Sequence, residues 1–118
     1  MSLRYVFADI VLPVVAARTA GAYASGPIAN AGAASGVLML VAASAVSGTT
    51  QTLDAVLQTS PDGTTWTSQT ATGITQLTAP GNALSMGDVT PYEYVQVLAT
   101  VGGTGTPTVT FSVAVILF

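Results

Sequence analysis

The sequence predicts an all-β fold. The expected form is an antiparallel β-sandwich, jelly-roll or immunoglobulin-like, with an irregular Ala/Gly-rich N-terminal connection. Two observations carry this. Apolar residues recur at every second position over most of the 118 residues, the spacing that lines one face of a strand. Clusters of Gly, Pro, Asn and Asp then cut the chain into short runs, as turns between strands do.

The first run is Leu3–Val15, with Val6, Ala8, Ile10, Leu12 and Val14 on one face and Tyr5, Phe7, Asp9 and Val11 on the other. Both faces are largely apolar, which predicts a strand covered on both sides. Pro13 has no amide donor and places that end at a sheet edge or a bend. Residues 18–36, rich in Ala, Gly and Ser, read as an irregular arm or long loop. Val37–Val46 is the next strand, and Ser47 to Thr50 form a turn. Thr52–Thr59 alternates Leu53, Ala55 and Leu57 with Asp54, Val56 and Gln58.

The stretch from Ser60 to Trp66, SPDGTTW, is the most sharply punctuated. Pro61 presets the first turn position, Asp62 suits the second, and Gly63 accepts the left-handed conformation. That order predicts a hairpin closed by a type I turn with a Gly bulge, returning along Thr64–Thr70. Ile74–Thr78 reads as a short strand. Ala79–Asp88 reads as a loop, because it holds Pro80, Gly81, Asn82 and Gly87. Tyr92–Val101 alternates clearly, GGTGTP (Gly102 to Pro107) reads as a second hairpin closure, and Thr108–Phe118 is the last strand. An unpaired strand there would be a sticky edge.

Length and composition limit the functions available. One domain over residues 1–118 is the natural size, and it buries about 65% of the unfolded chain's surface. Half of the residues are hydrophobic and only 6% are charged, against about 25% in an ordinary domain. The cations are Arg4 and Arg18; the anions are Asp9, Asp54, Asp62, Asp88 and Glu93, for a net charge of −3. Two scattered cations make no basic patch, which argues against nucleic acid as a partner. The uncharged run Ile28 to Val46 is interrupted by Asn30, Gly32, Gly36 and serines and has no Lys/Arg flank, so no membrane span is expected. Asp9 falls inside the would-be apolar region of a leader, so no signal peptide is expected either.

The chain has neither Cys nor His. The commonest general base and the usual soft metal ligands are therefore missing. The carboxylates are scattered, with no calcium-loop spacing around Asp62 and no pairing of Asp54 with Asp88. GGTGTP leads into a strand without a Lys, unlike a phosphate loop. The sequence thus assigns no catalytic, cofactor-binding or metal-binding residue, and a non-enzymatic protein is expected. Trp66 with Asp62, and Tyr92 with Tyr94, are the two candidate recognition surfaces. The reading preferred for SPDGTTW is a hairpin turn with Trp66 packed beneath or beside it, and for the tyrosines a half-buried strand face or a subunit contact.

The run LDAVLQTSPDGTTW (Leu53 to Trp66), with YEYVQVLATVGGTGTPTVTFSVAVILF (Tyr92 to Phe118), resembles small virion structural proteins of tailed bacteriophages, of the head decoration or cement type. The likeness covers about the last two-thirds of the chain. It implies a β-sandwich on the capsid surface of a virion, made in the host cytoplasm. Its partners would be the major capsid protein and copies of itself, with a trimer favoured by local three-fold symmetry. A tail or other minor virion subunit would share these features. The pattern Q-x-S-x-D-G-x-x-W is also similar to discoidin-type carbohydrate-binding sandwiches, which leaves a sugar-binding or adhesion module as the alternative. The low charge, two-faced first strand and Ala/Gly arm fit a surface that other subunits cover.

Neither calcium nor a chelator should shift the melting temperature. A thermal scan with 5–10 equivalents (an order-of-magnitude excess, ~10-fold) of Ca²⁺ or of EDTA tests this, since any ligand of the folded state raises it.

Overall fold

A computed structural model describes residues 7–29, 36–69, 73–88 and 93–118. The chain runs through β1 (Phe7–Thr19), β2 (Gly21–Ala24), β3 (Ile28–Ala29), β4 (Gly36–Ser47), β5 (Thr50–Ser60), β6 (Thr67–Gln69), β7 (Gly81–Asp88), β8 (Tyr94–Thr104) and β9 (Thr108–Leu117). No helix is present among the described residues. One sheet has the order β1-β9-β4-β7 and the other β2-β8-β5-β6, with β3 also paired to β8. All pairings are antiparallel. The two sheets pack against each other as the sandwich that the period-two pattern predicts.

The two sheet orders correspond strand for strand. β1 passes into β2 through Ala20, β4 into β5 through Gly48 and Thr49, and β8 into β9 through Gly105, Thr106 and Pro107. The β4–β9 ladder runs to Ser47 opposite Thr108, and the β5–β8 ladder resumes at Thr50 opposite Thr104. The sandwich is therefore one broad antiparallel sheet creased across its middle, its halves folded face to face. Across the crease the Thr49 amide donates to the Thr104 carbonyl at 3.1 Å. The Thr50 and Thr104 hydroxyls lie 2.8 Å apart, and those of Ser47 and Thr108 3.0 Å.

The crease demands backbone that side chains would block. Gly103 has φ of 119°, and a Cβ there would lie 1.4 Å from the Thr50 carbonyl oxygen. Gly48 has φ of 121°, and its Cβ would lie 2.8 Å from the Pro107 Cα. Both obstacles are backbone atoms that cannot swing aside.

Folding the sheet traps its inward residues. Val37, Met39 and Val41 of β4 and Val109, Phe111, Val113, Val115 and Leu117 of β9 face Leu53, Ala55 and Leu57 of β5 and Val95, Val97, Ala99 and Val101 of β8. Each fully buried Val, Leu, Met or Phe contributes about 1.5–3 kcal/mol. Phe111 is the largest of them.

Several segments differ from expectation. The N-terminal strand runs on to Thr19, and residues 21–24 and 28–29 of the expected arm are strands on the free edge of β8. An available ladder outweighs the weak strand propensity of Ala and Gly. Residues 30–35 lie outside the described set, as do residues 3–6 of the first predicted strand. β1 is an edge strand, as Pro13 indicated, but its apolar faces are not both covered: Ile10, Val14 and Val15 are exposed. Three register shifts against β9 twist it, as bulges do at sheet edges.

Ala79–Asp88 is largely strand rather than loop. β7 makes eight successive pairings with β4, from Gly36–Asp88 to Ala43–Gly81. It carries a single ladder at the sheet edge, where Gly is tolerated. Ile74 to Thr78 is no strand: it holds to β5 through one bridge, Leu53–Leu77, and the Ile74 amide bond to Ala55. GGTGTP closes no hairpin, because β8 and β9 belong to different sheets. The last strand is no edge: β9 lies between β1 and β4 and pairs with both.

Gly103→Ala should cost about 3 kcal/mol or more, from strain plus collision. Gly81→Ala meets nothing within 4 Å and should stay within about 0.5 kcal/mol of the parent. Denaturant titration of the two variants separates the crease from an ordinary glycine effect.

Candidate interaction surface

Strand alternation fixes what each sheet shows outward, and the two sheets show opposite things. On the β5–β8 sheet the outward residues are Thr52, Asp54, Val56 and Gln58, with Gln96, Leu98 and Thr100 beside them. They are tied by polar contacts. Gln96 Nε2 donates to Gln58 Oε1 at 2.8 Å, Gln58 Nε2 to Ser68 Oγ at 3.2 Å, and Gln76 Nε2 to Asp54 Oδ2 at 2.9 Å. A shallow depression of about 340 Å³ lies over Asp54, Val56, Ser68 and Leu98.

The outward face of the β4–β9 sheet is apolar. Register sets Leu38 between Ile116 and Met86, and Leu40 between Ala114 and Leu84, with Ile10 beyond Ala114. Met86 is 66% exposed, Leu84 61% and Ile10 59%. Every large exposed hydrophobic residue among those described belongs to this sheet: Ile10, Val14, Val15, Leu40, Leu84 and Met86. β4 and β9 contain no charged residue. Four strands about 4.8 Å apart and ten residues long span roughly 650 Å² in projection. Monomers rarely leave such a face open unless something docks there. Leu84 and Met86 are the exposed residues of this face that sequence reasoning missed. Their spacing of two was the available signal, masked by the Pro and Gly residues around them.

The SPDGTTW segment is a self-contained turn. Asp62 Oδ1 accepts the Thr64 and Thr65 amides, each at 2.9 Å, and the Ser60 hydroxyl at 2.9 Å. Ser60 Oγ in turn accepts the Asp62 and Gly63 amides at 3.2 and 2.9 Å. Gly63 has the expected positive φ, 80°, and sits over the Tyr94 ring. The loop is longer than a bulged type I closure: pairing resumes only at Thr59–Thr67, so the return strand starts at Thr67. The side-chain hydrogen bonds brace those extra residues. Trp66 is half-buried. Three donors converge on Asp62 Oδ1, so this oxygen is committed to the turn itself.

The other candidates stay apart. Asp54 lies on β5 and Asp88 at the end of β7, in different sheets. Tyr94 is half-buried at the turn, and Tyr92 lies outside the described residues. Among the described residues no group of three Asp, Glu, His or Cys side chains could hold a metal ion.

No protein-family model matches the chain, and no curated protein matches it. Among solved structures, the crystal structure of the PBSX exported protein XepA is similar, with a TM-score of 0.67 over 95% of this chain at 16% identity. The chain spans 37% of that protein's length. At this identity the likeness shows the fold: the same β-sandwich recurs as part of a larger chain.

The amide and hydroxyl donors hold the Asp62 carboxyl well below its ordinary value of 3.8. A carboxyl with a depressed folded-state pKa stabilises above the unfolded value, and the benefit fades as pH falls through the folded value. Asp62→Asn should therefore melt below the parent at pH 7. The gap should narrow steadily as the pH drops below about 4, in paired thermal scans across pH.

Proposed function

We propose that this chain is a non-enzymatic structural protein of a phage particle. It docks by the outer face of the β1-β9-β4-β7 sheet, as a decoration or cement subunit on the capsid. The observation that carries this is the contrast between the two faces: one largely apolar, with no charged residue on its two central strands, the other a hydrogen-bonded polar surface. A protein bound to a shell has one side against its neighbour and one in water. The likeness to a phage protein, XepA of PBSX, supports a phage setting.

The energetics fit a packing role. A standard specific interface takes about 800 Å² from each partner. The roughly 650 Å² projection of the sheet reaches that once side-chain relief is included. Aliphatic side chains at its centre provide the desolvated core of a contact, and the Thr and Ser residues near the crease provide a polar rim. Many copies on one shell add avidity without stronger single contacts. A trimer around a local three-fold remains the oligomer we favour, with the major capsid protein as the partner.

Leu84 and Met86 supply the test. Both are exposed on a single-ladder edge strand, so charging them should change stability by no more than about 0.5 kcal/mol. The double variant Leu84→Glu, Met86→Glu should cease to co-sediment with particles that lack this protein, while Thr52→Glu on the opposite sheet should bind as the parent does. Undiminished binding of the double variant would remove the face from the proposal. Failure of the parent to bind any such particle would remove the decoration role.

A further inference from the structure

A cleft of about 570 Å³ opens beside the β1–β2 corner, lined by Leu12, Val15, Ala16, Ala17, Arg18, Ala22 and Tyr23 among others. Arg18 is the one cation among the described residues, and it is only 9% exposed. Its guanidinium carbon lies 4.7 Å from the Phe111 ring centre and 5.2 Å from that of Tyr23. Those rings meet edge-on at 72°, and the Tyr23 hydroxyl donates to the Thr19 carbonyl at 2.6 Å. The Nη2 group donates to the Pro13 carbonyl at 2.7 Å. Nη1 is buried with no acceptor among the described residues, and no carboxylate among them pairs with this cation.

This arrangement is unusual. A buried charge is ordinarily paired, because a charged donor left unsatisfied in a low-dielectric site is strongly destabilising. Cation–π contacts offset only part of that. Nothing in the sandwich requires a cation at this corner: a Met or Leu would fill the space between Tyr23 and Phe111. What a guanidinium adds is a planar fork that matches a carboxylate.

We propose that the Arg18 cleft is a receptor for a carboxylate carried on a short apolar stem. The carboxylate would engage Arg18, and the stem would lie against Leu12, Val15 and Tyr23. Entry has a structural route. The rim, Val14 to Ala17, lies in the bulged part of the edge strand, and Ala17 holds φ of 54°, rare for a residue with a side chain. That rim is held by the Val15–Phe111 pairing, which has a register shift on either side, and by the Ala17 amide bond to the Thr110 hydroxyl at 2.8 Å. The carboxylate could be a free small acid or a Glu side chain of a partner chain. The site does not depend on the docking role.

The test uses the full chain with ¹⁵N-labelled arginine, in which only Arg4 and Arg18 give guanidinium signals. Butyrate, its neutral isostere butyramide, and the peptide acetyl-Ala-Glu-Ala-amide are titrated in turn. Butyrate should shift the Arg18 signals saturably, with half-saturation at about 1–10 mM, and butyramide should not. Response to butyrate alone assigns a free acid, and response to the peptide a partner's side chain. Ala16→Phe, a change at an exposed rim position that leaves Arg18 in place, should weaken the response about ten-fold or more. Arg18→Met identifies the signals, but the conclusion does not rest on that variant folding. No saturable shift with either acid, an equal shift with butyramide, or an undiminished response in Ala16→Phe would each overturn the proposal.

Discussion

The crease governs this molecule. A sheet that folds back on itself must carry at least three strands through a sharp reversal at the same level, and the hydrogen-bond ladders must stop and restart in step. Here Ser47–Thr108 and Thr50–Thr104 are the last and first rungs on either side. Between them Gly48 and Gly105 adopt positive φ, as does Gly103 one residue beyond the Thr50–Thr104 rung. Only after this reversal do the inward residues of β4 and β9 meet those of β5 and β8. The core is thus a consequence of the fold line, and the position of the fold line sets which side chains oppose one another.

The same geometry separates the molecule's two personalities. Alternation along a strand assigns inside and outside strictly, so continuous strands that cross the crease could have shown the same chemistry on both outer faces. They do not. β4 places Leu38 and Leu40 outward, whereas β5, its continuation, places Asp54 and Gln58 there. β9 places Ala114 and Ile116 outward, and β8 places Gln96 and Thr100. The switch from apolar to polar at the turn costs nothing in folding, because both halves keep the same inward pattern. It is a surface property independent of the core.

How far the sequence revealed this follows from the kind of signal each element carried. β4, β5, β8 and β9 have long period-two runs and were legible almost to the residue. The positive φ of Gly63 followed from the Pro-Asp-Gly order. β2, β3 and β7 were not legible, because Ala, Gly and Asn residues such as Ala22, Gly81 and Asn82 become strand only when an open ladder edge is beside them. GGTGTP was misread for a related reason. A Gly-rich turn reports that the chain reverses, but not whether it returns in the same sheet or the opposite one. The outer apolar face needed the register, since Ile10, Leu40 and Leu84 are distant in sequence and meet only through β4 and β9. The buried, unpaired Arg18 had no sequence signal at all.

The place of β9 has a consequence for the order in which the protein can be made. It is the ninth of nine described strands in the chain, yet it lies between the first strand and the fourth. Until it leaves the ribosome, β1 has no neighbour to pair with and β4 has one open side. The nascent chain must therefore carry two strongly apolar segments in search of a partner that has not been synthesised, and non-local pairing of this kind is intrinsically slow. The sheet is completed only when β9 takes its place between them. For a chain that already exposes Leu84 and Met86 when folded, the interval before that closure is when unwanted contact is most easily made.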